Sequence, residues 1–463
     1  MPAPQEILDS IDDRFDATIE DLIELARIPS VSAAGFDPAQ VERSAEKVAE
    51  LFSDAGLHGV EILRIDDAHP YATAEWLDAG PDAPTALIYA HHDVQPPGRP
   101  EYWQTPAFEP ARRADGRLYG RGVVDDKAGI LLHVAAIRAW LDTRGSLPIN
   151  VKLIVEGEEE IGSEHLADLL VAHRERFDAD VLVLSDTANL DTGIPSLTTS
   201  LRGMASADVT LRAIDHPIHS GMWGGPVPDA ATALSVLLAR LVDDAGEIAI
   251  PGLLDDVPAL TAVQRAALEA LPFDEAAFRR DAGMPDGSRF AGDERYSVYE
   301  KIWHRPSLAV TALEAMPLAT AANQLIAEAK ARIGVRLAPG QDADRATRLL
   351  VDFLASDPPH GVTVEVEADT AVTGWRTTPE GPAFDAARRA LAAGFGRESV
   401  EIGCGGCIPF VGPFSSVLGG IPALLLGLED PPCNAHGENE SLNLDDFRKA
   451  SRSSAHLLAE LGC

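Results

Sequence analysis

Ile7, Leu8, Ile11, Phe15, Ile19, Leu22 and Ile23 recur at helical spacing, which puts an apolar stripe on one face of an N-terminal surface helix. That helix is predicted to stop at Ile28-Pro29, because proline disfavours α geometry in the residue before it. The pattern then changes. Ala86 to Ala90, Ile149 to Val155, Val181 to Leu184 and Ile421 to Leu428 are near-continuous apolar runs, as expected of parallel strands covered on both faces. Ile130, Leu131, Val134, Ile137 and Leu141 mark a helix between the first two runs. Helix and strand alternate in this way from residue 1 to about residue 199.

Near Ser200 the texture shifts. Met204 to Arg212 alternates with period two, the mark of a half-exposed antiparallel strand. A helix is predicted from Pro228 to Asp243, followed by an Asp- and Pro-rich excursion to Arg305. Two more alternating strands, Ala327 to Arg336 and Val362 to Ala368, flank a helix from Asp342 to Ser356. This is a βαββαβ layout with the excursion inserted, and the α/β texture returns at Trp375. The expected architecture is an α/β domain, 1–199 and 375–463, with a mostly parallel sheet flanked by helices, interrupted by an inserted α+β domain, 200–374. A chain of 463 residues is also too long for one ordinary core.

Composition narrows the function. With 38 basic against 73 acidic residues the formal charge is −35, which repels nucleic acid and anionic membrane surfaces. The longest apolar runs are of strand length, short of the roughly 20 residues a spanning helix needs. The first residues are acidic and amphipathic rather than a basic region followed by an apolar one, and four cysteines are no disulfide framework, so the cytoplasm is the expected compartment.

The strand ends carry the chemistry. The first apolar run ends at His91-His92-Asp93, the second at Glu156-Gly-Glu158-Glu159-Glu160, the third at Ser185-Asp186, and the last at Glu429-Asp430 with His436 close behind. Gly120-Arg-Gly-Val-Val-Asp125-Asp126-Lys127 opens the helix after the first strand. Ligands of open α/β sheets bind outside the carboxyl ends of the strands. His and carboxylates gathered there, without a matching basic cluster, suit two divalent cations. Asp93 can orient the ring of His91 through its second nitrogen, whereas His92 points to the other side of the strand and is expected to pack or to face solvent. Within Glu158-Glu159-Glu160, one carboxylate can bind metal while an unligated neighbour acts as general base. The glycines before Asp125 fail as a dinucleotide fingerprint and are better suited to turning the backbone so that Asp125 faces the metals.

The strings YAHHDVQP, YGRGVVDDKAG, VEGEEEIGSE, LSDT, DHPIHSGMWGG and NAHGENESL, in this order and over essentially the whole chain, resemble the co-catalytic zinc peptidases. That family includes carnosinase-like and cytosolic non-specific dipeptidases, glutamate carboxypeptidases, acetylornithine deacetylases and succinyl-diaminopimelate desuccinylases. The resemblance implies a catalytic domain holding two divalent ions (zinc first, manganese or cobalt as alternatives) and a βαββαβ lid that forms a homodimer. His91 matches the first metal ligand and Asp93 its orienting carboxylate. Asp125 matches the bridging ligand, with a cis peptide to Asp126. Glu159 matches the general base, and Glu160, Asp186 and His436 the remaining ligands. His219 matches a lid histidine that reaches the partner subunit's site to stabilise the oxyanion, and Arg336 resembles an arginine that grips the substrate carboxylate. Asp at position 186, with HRPSLAVTALE and HHDVQP, places the resemblance nearest the dipeptidase branch.

One string departs from that branch. Where such dipeptidases carry Glu-Gly-Gly-Ser-Ile-Pro, with the Ser holding the substrate carboxylate, this chain has Cys404-Gly-Gly-Cys407-Ile-Pro. Cys407 thus falls at the substrate-binding position. Cys404-x2-Cys407 with Cys433-x2-His436 also has structural-zinc spacing, and a disulfide within the first pair is a further alternative to small buried thiols. The expected function is hydrolysis of small peptides, above all dipeptides, by a metal-activated water with Glu159 as base. The alternatives are an N-acyl-amino-acid deacylase of the same chemistry and a catalytically silent scaffold. A serine hydrolase is disfavoured because the chain has no Gly-x-Ser-x-Gly elbow.

Overall fold

The computed structural model describes residues 1–406, 411, 414 and 417–463. They form two compact units. One comprises Met1–Thr199, Thr378–Ile402 and the stretch ending at Cys463; the other comprises Ser200–Thr377 with a short return that begins at Gly403.

The first unit is built on a mixed sheet with a parallel centre. Strands His58–Leu63, Tyr71–Trp76, Asn150–Glu156, Thr85–His91, Val181–Ala188, Ala423–Glu429 and Ser196–Leu201 lie side by side in that order. From Asn150–Glu156 to Ala423–Glu429 the pairing is parallel, and these are the predicted apolar runs. Their carboxyl ends align: His91 lies opposite Glu156, and Tyr89 opposite Leu184. The third strand is longer than its apolar run. Its ladder with Ala423–Glu429 continues through Thr187 and Ala188, so Asp186 and Glu429 sit within strands rather than just beyond them. Gly427 permits this, since a Cβ there would lie 2.3 Å from Asn189 Oδ1.

Helices cover the sheet. Lys127–Arg144 is buried almost all round through Trp140 and ends at Gly145, whose φ of +67° supplies the left-handed cap. The single N-terminal helix expected from the apolar stripe is two helices, Gln5–Asp13 and Phe15–Ala26, separated at Arg14 (φ −96°, ψ 0°). Both pack on Lys127–Arg144. All seven stripe residues are buried, while Gln5, Glu6, Asp9, Asp12, Asp16 and Glu20 on the opposite face are exposed, as expected of a surface helix. Among the described residues, no helix is long and apolar enough to cross a membrane.

The second unit is an antiparallel sheet ordered Ser307–Glu314, Glu328–Leu337, Gly203–Arg212, Thr363–Val372. Ala205, Ala207, Val209 and Leu211 face inward at alternate positions and pack with Ala233, Leu234 and Leu237 of helix Ala230–Ala239 and Leu350 and Leu354 of helix Ala343–Ala355. Asp229 and Asp342 cap those helices by accepting from Thr232 N and Arg345 N. The chain order is therefore βαββαβ. The excursion is more ordered than its composition suggests: helices Ala262–Ala270, Glu275–Asp281 and Val298–Trp303 carry linked aromatic contacts among Phe273, Phe278, Phe290, Tyr299 and Trp303.

Candidate metal centre

His91 ends a parallel strand and is fully buried. Its Nε2 lies 3.1 Å from Asp125 Oδ1 and 3.6 Å from Asp186 Oδ2, yet has no hydrogen-bond partner. The other oxygen of Asp125, Oδ2, lies 2.9 Å from His436 Nε2, which in turn is 3.4 Å from Glu160 Oε2. Two groups of donor atoms result, His91–Asp125–Asp186 and Asp125–Glu160–His436, each close enough to hold one metal ion. Asp125 is common to both. Its peptide bond to Asp126 is cis.

The residues around these groups fix their directions. His91 Nδ1 lies 3.1 Å from the backbone oxygen of Asp93 and 3.5 Å from its carboxylate. That carboxylate accepts from the backbone N–H groups of Glu159 and Glu160, at 3.2 and 3.0 Å, and from Ser32 Oγ at 2.6 Å. Asp93 thus ties the end of one strand to the acidic turn beside it. In that turn the three glutamates separate by partner. Glu158 is buried and turns away, accepting from Tyr71 Oη at 2.6 Å and from His165 N at 2.9 Å. Glu160 faces His436 and is steadied by Gln95, whose N and Nε2 lie 2.9 and 2.7 Å from its oxygens. Glu159 belongs to neither donor group; its Oε2 is 4.0 Å from His91 Nε2. His92 is buried and its Nε2 lies 3.0 Å from Pro70 O, outside both groups.

The electrostatics fit divalent cations. Asp93, Asp125, Glu159, Glu160 and Asp186 converge on two imidazoles. Burial opposes the charge on His91, but Asp186, Asp125 and Asp93 outweigh it and hold the imidazole well above its usual pKa. Asp125 is also buried, but His436 and His91 bring its carboxyl well below the usual range. Burial, reinforced by the Asp186, Asp125 and Asp93 charges, lifts Glu159 to about 8. Burial with Asp125, Asp93 and Glu159 lifts Glu160 to about 10. An orphaned buried imidazole nitrogen facing carboxylates that repel one another is a donor set completed by cations.

The same crowding makes the metal-free protein sensitive to pH. Glu159 and Glu160 have folded pKa values above their ordinary 4.5, so the stability they contribute is present at acid pH and is lost as pH rises through about 8 and 10. Melting temperatures of chelator-stripped protein are expected to fall between about pH 5 and about pH 9. The gap to protein saturated with a divalent ion should widen over the same range. A flat profile for the stripped protein would contradict this crowding of carboxylates.

The remaining predicted residues lie elsewhere. His219 is exposed in the second unit, at the end of strand Ile218–His219, where its ring accepts from Gly221 N at 3.1 Å. Arg336 is half-buried on strand Glu328–Leu337 of that unit, opposite Met204 and Ser307. Cys407 lies outside the described residues. Cys433 is buried, its thiol pushed well up by burial, and it belongs to neither donor group. Three supporting residues lie outside the predicted ligand set, although Glu429 ends one of the predicted apolar runs. Asp126 accepts from His91 N at 3.2 Å, Glu429 is driven up by burial and by facing Asp125 and Asp186, and Glu440 holds the Asp125 loop. Each stands within five residues of a predicted ligand or strand end, but nothing in local spacing distinguishes it from an ordinary capping or solvated acid.

The chain is similar to known dipeptidases over most of its length. The chain is 31% identical to a cysteinylglycine-S-conjugate dipeptidase from Corynebacterium striatum, over 91% of this chain and 90% of that one. It is 28% identical to a Cys-Gly metallodipeptidase of Schizosaccharomyces pombe, over 96% and 95%. The solved structure of human carnosine dipeptidase 1 superposes with a TM-score of 0.85 at 26% identity, covering all of both chains. Residues 87–460, which contain every member of the two donor groups, match a known peptidase family. The chain belongs to peptidase family M20/M25/M40.

Proposed function

We propose that the protein is a dipeptidase that cleaves the peptide bond of a free dipeptide with two divalent ions, held by His91, Asp125, Asp186, Glu160 and His436. The observation that carries this reading is Asp125, whose two oxygens each face a different histidine. Dipeptidase relatives matched along nearly the full length support the substrate class. Imidazole and carboxylate donors suit zinc, manganese or cobalt, and zinc is the ion proposed.

Divalent ions held by these five side chains would supply a lowered pKa for bound water and polarisation of the scissile carbonyl. Glu159 takes the proton of the attacking water and returns it to the leaving amine. Asp93 keeps Glu159 in place through the backbone N–H it accepts from. The carboxylates disfavour a second negative charge at the reacting end, so the substrate carboxylate is held elsewhere, by Arg336 and Cys407. In this reading Ser200–Thr377 serves as lid and dimerisation domain, and His219 stabilises the oxyanion in the site of a second copy. Homodimerisation is supported by the outer strand Ser307–Glu314, an exposed sheet edge carrying Val310 and Leu313 at 42% and 62% exposure. A reducing cytoplasm fits the buried thiol of Cys433 and the exposed one of Cys463.

His219→Ala is expected to lower kcat about 10²–10³-fold, the range for losing one oxyanion donor. Its metal content should stay unchanged, as read by elemental analysis beside dipeptide hydrolysis. An unaffected kcat would remove His219 from the reaction. The function is tested by assaying free dipeptides beside N-acetyl and N-succinyl amino acids. Faster turnover of the acylated substrates would make the protein a deacylase.

A further inference from the structure

The two donor groups are built differently. His91 and Asp186 stand on adjacent parallel strands, so the sheet fixes their separation. Glu160 lies on a short 3-10 turn, and His436 on a loop where it adopts a left-handed φ of +63°. No strand holds that second half. What it has instead is a buried ion pair.

Arg121 and Glu440 are 1% and 0% exposed, with Arg121 Nη1 2.6 Å from Glu440 Oε2. Each reaches beyond the other. The Glu440 carboxylate accepts from the N–H groups of Gly122, Val124 and Asp125 at 2.9, 3.1 and 3.4 Å, and so shapes the loop that presents Asp125. Gly122 is required in that loop: its φ is +77°, and a Cβ would lie 2.4 Å from Val94 Cγ1. Arg121 Nη2 donates to the backbone oxygen of His436 at 2.9 Å and to that of Pro96 at 3.1 Å. One guanidinium–carboxylate pair therefore joins the Asp125 loop to the His436 loop, and neither side chain belongs to a donor group.

We infer that Arg121 and Glu440 are positioning residues that set the affinity of the Asp125–Glu160–His436 site above all, because in the His91–Asp125–Asp186 site two of the three ligands are held by the sheet. This rests on the two-ion reading proposed above. A lysine at 121 keeps the charge but lacks the planar fork that serves Glu440 and the His436 carbonyl together. A glutamine at 440 keeps an acceptor for the loop N–H groups but not the charge that holds Arg121.

The test is a titration of chelator-stripped full-length protein with cobalt(II), read through its visible absorption against a competing chelator, so that two binding constants are resolved. For wild type, Arg121→Lys and Glu440→Gln, circular dichroism of the stripped protein serves as the folding control. Both variants are expected to weaken one constant by about 10–100-fold, the range for changes behind a metal ligand. The other constant should move less than about 3-fold, and His436→Ala should weaken the same constant as they do. A variant that folds and binds both ions as wild type does, or loses both by equal factors, overturns the inference. Should one substitution prevent folding, the other decides by the same criterion; loss of fold in both would make the pair a fold-stabilising one and also overturn it. A wild-type protein that takes up one ion or none would overturn the proposed function, and this inference with it.

Discussion

Glu159→Ala is expected to lower kcat by about 10²–10⁴-fold, the contribution of a positioned general base, while the protein still binds two ions. The split follows from position. Glu159 lies in the same turn as Glu160 but belongs to neither donor group, and its carboxylate stops 4.0 Å from His91 Nε2, where the nearest ligand oxygen is at 3.1 Å. Its removal takes away a proton carrier and no ligand. The neighbouring glutamates supply the controls. Glu160→Ala removes a donor beside His436 and should empty that site. Glu158→Ala leaves Tyr71 Oη and His165 N without their acceptor, and should cost about 1–3 kcal/mol of stability with a smaller effect on kcat. Steady-state kinetics with metal analysis distinguish the three. If Glu158→Ala were the variant that lost turnover at full metal occupancy, the base would be one residue earlier.

Asp125→Ala should have the largest effect of any single substitution. Its two oxygens are shared between the two histidines, so both binding constants should weaken by more than the about 10–100-fold expected for residues behind a ligand. Turnover should fall at least as far as in Glu159→Ala. Added metal should fail to restore it at concentrations that saturate wild type. A variant that kept one tight site would mean that Asp125 serves a single ion. Asp186→Ala is the comparison: it contributes to one group only, so one constant should survive.

The site is legible in the sequence because His91, Glu160, Asp186 and His436 each fall at or a few residues past the end of an apolar run, and strands covered on both faces announce themselves as such runs. Such runs alone bring the ends at His91 and Glu156 to one edge of a parallel sheet, where the two residues do lie opposite each other. The distinction among Glu158, Glu159 and Glu160 is of another kind. Composition alone leaves three equivalent carboxylates, and only the resemblance to known peptidases assigns them. In the structure it is Tyr71, 87 residues away, that draws Glu158 aside. Arg121 and Glu440 are invisible for the same reason, since a pair separated by 319 residues leaves no local pattern. The N-terminal stripe is plainly helical from its spacing, but no glycine or proline in its residues marks the break at Arg14. The ordered excursion after Asp243 is obscured by its Asp and Pro content, because its aromatic contacts join short helices to residues of the loops between them.

The most direct measurement is hydrolysis of a free dipeptide panel by protein stripped with chelator and rebuilt with zinc or manganese, with Glu159→Ala assayed in parallel. Activity that disappears on stripping, returns as two equivalents of metal are taken up, and stays absent in fully loaded Glu159→Ala is the expected result. Turnover that survives complete removal of metal, or that persists undiminished in Glu159→Ala, would contradict a two-metal dipeptidase with Glu159 as its base.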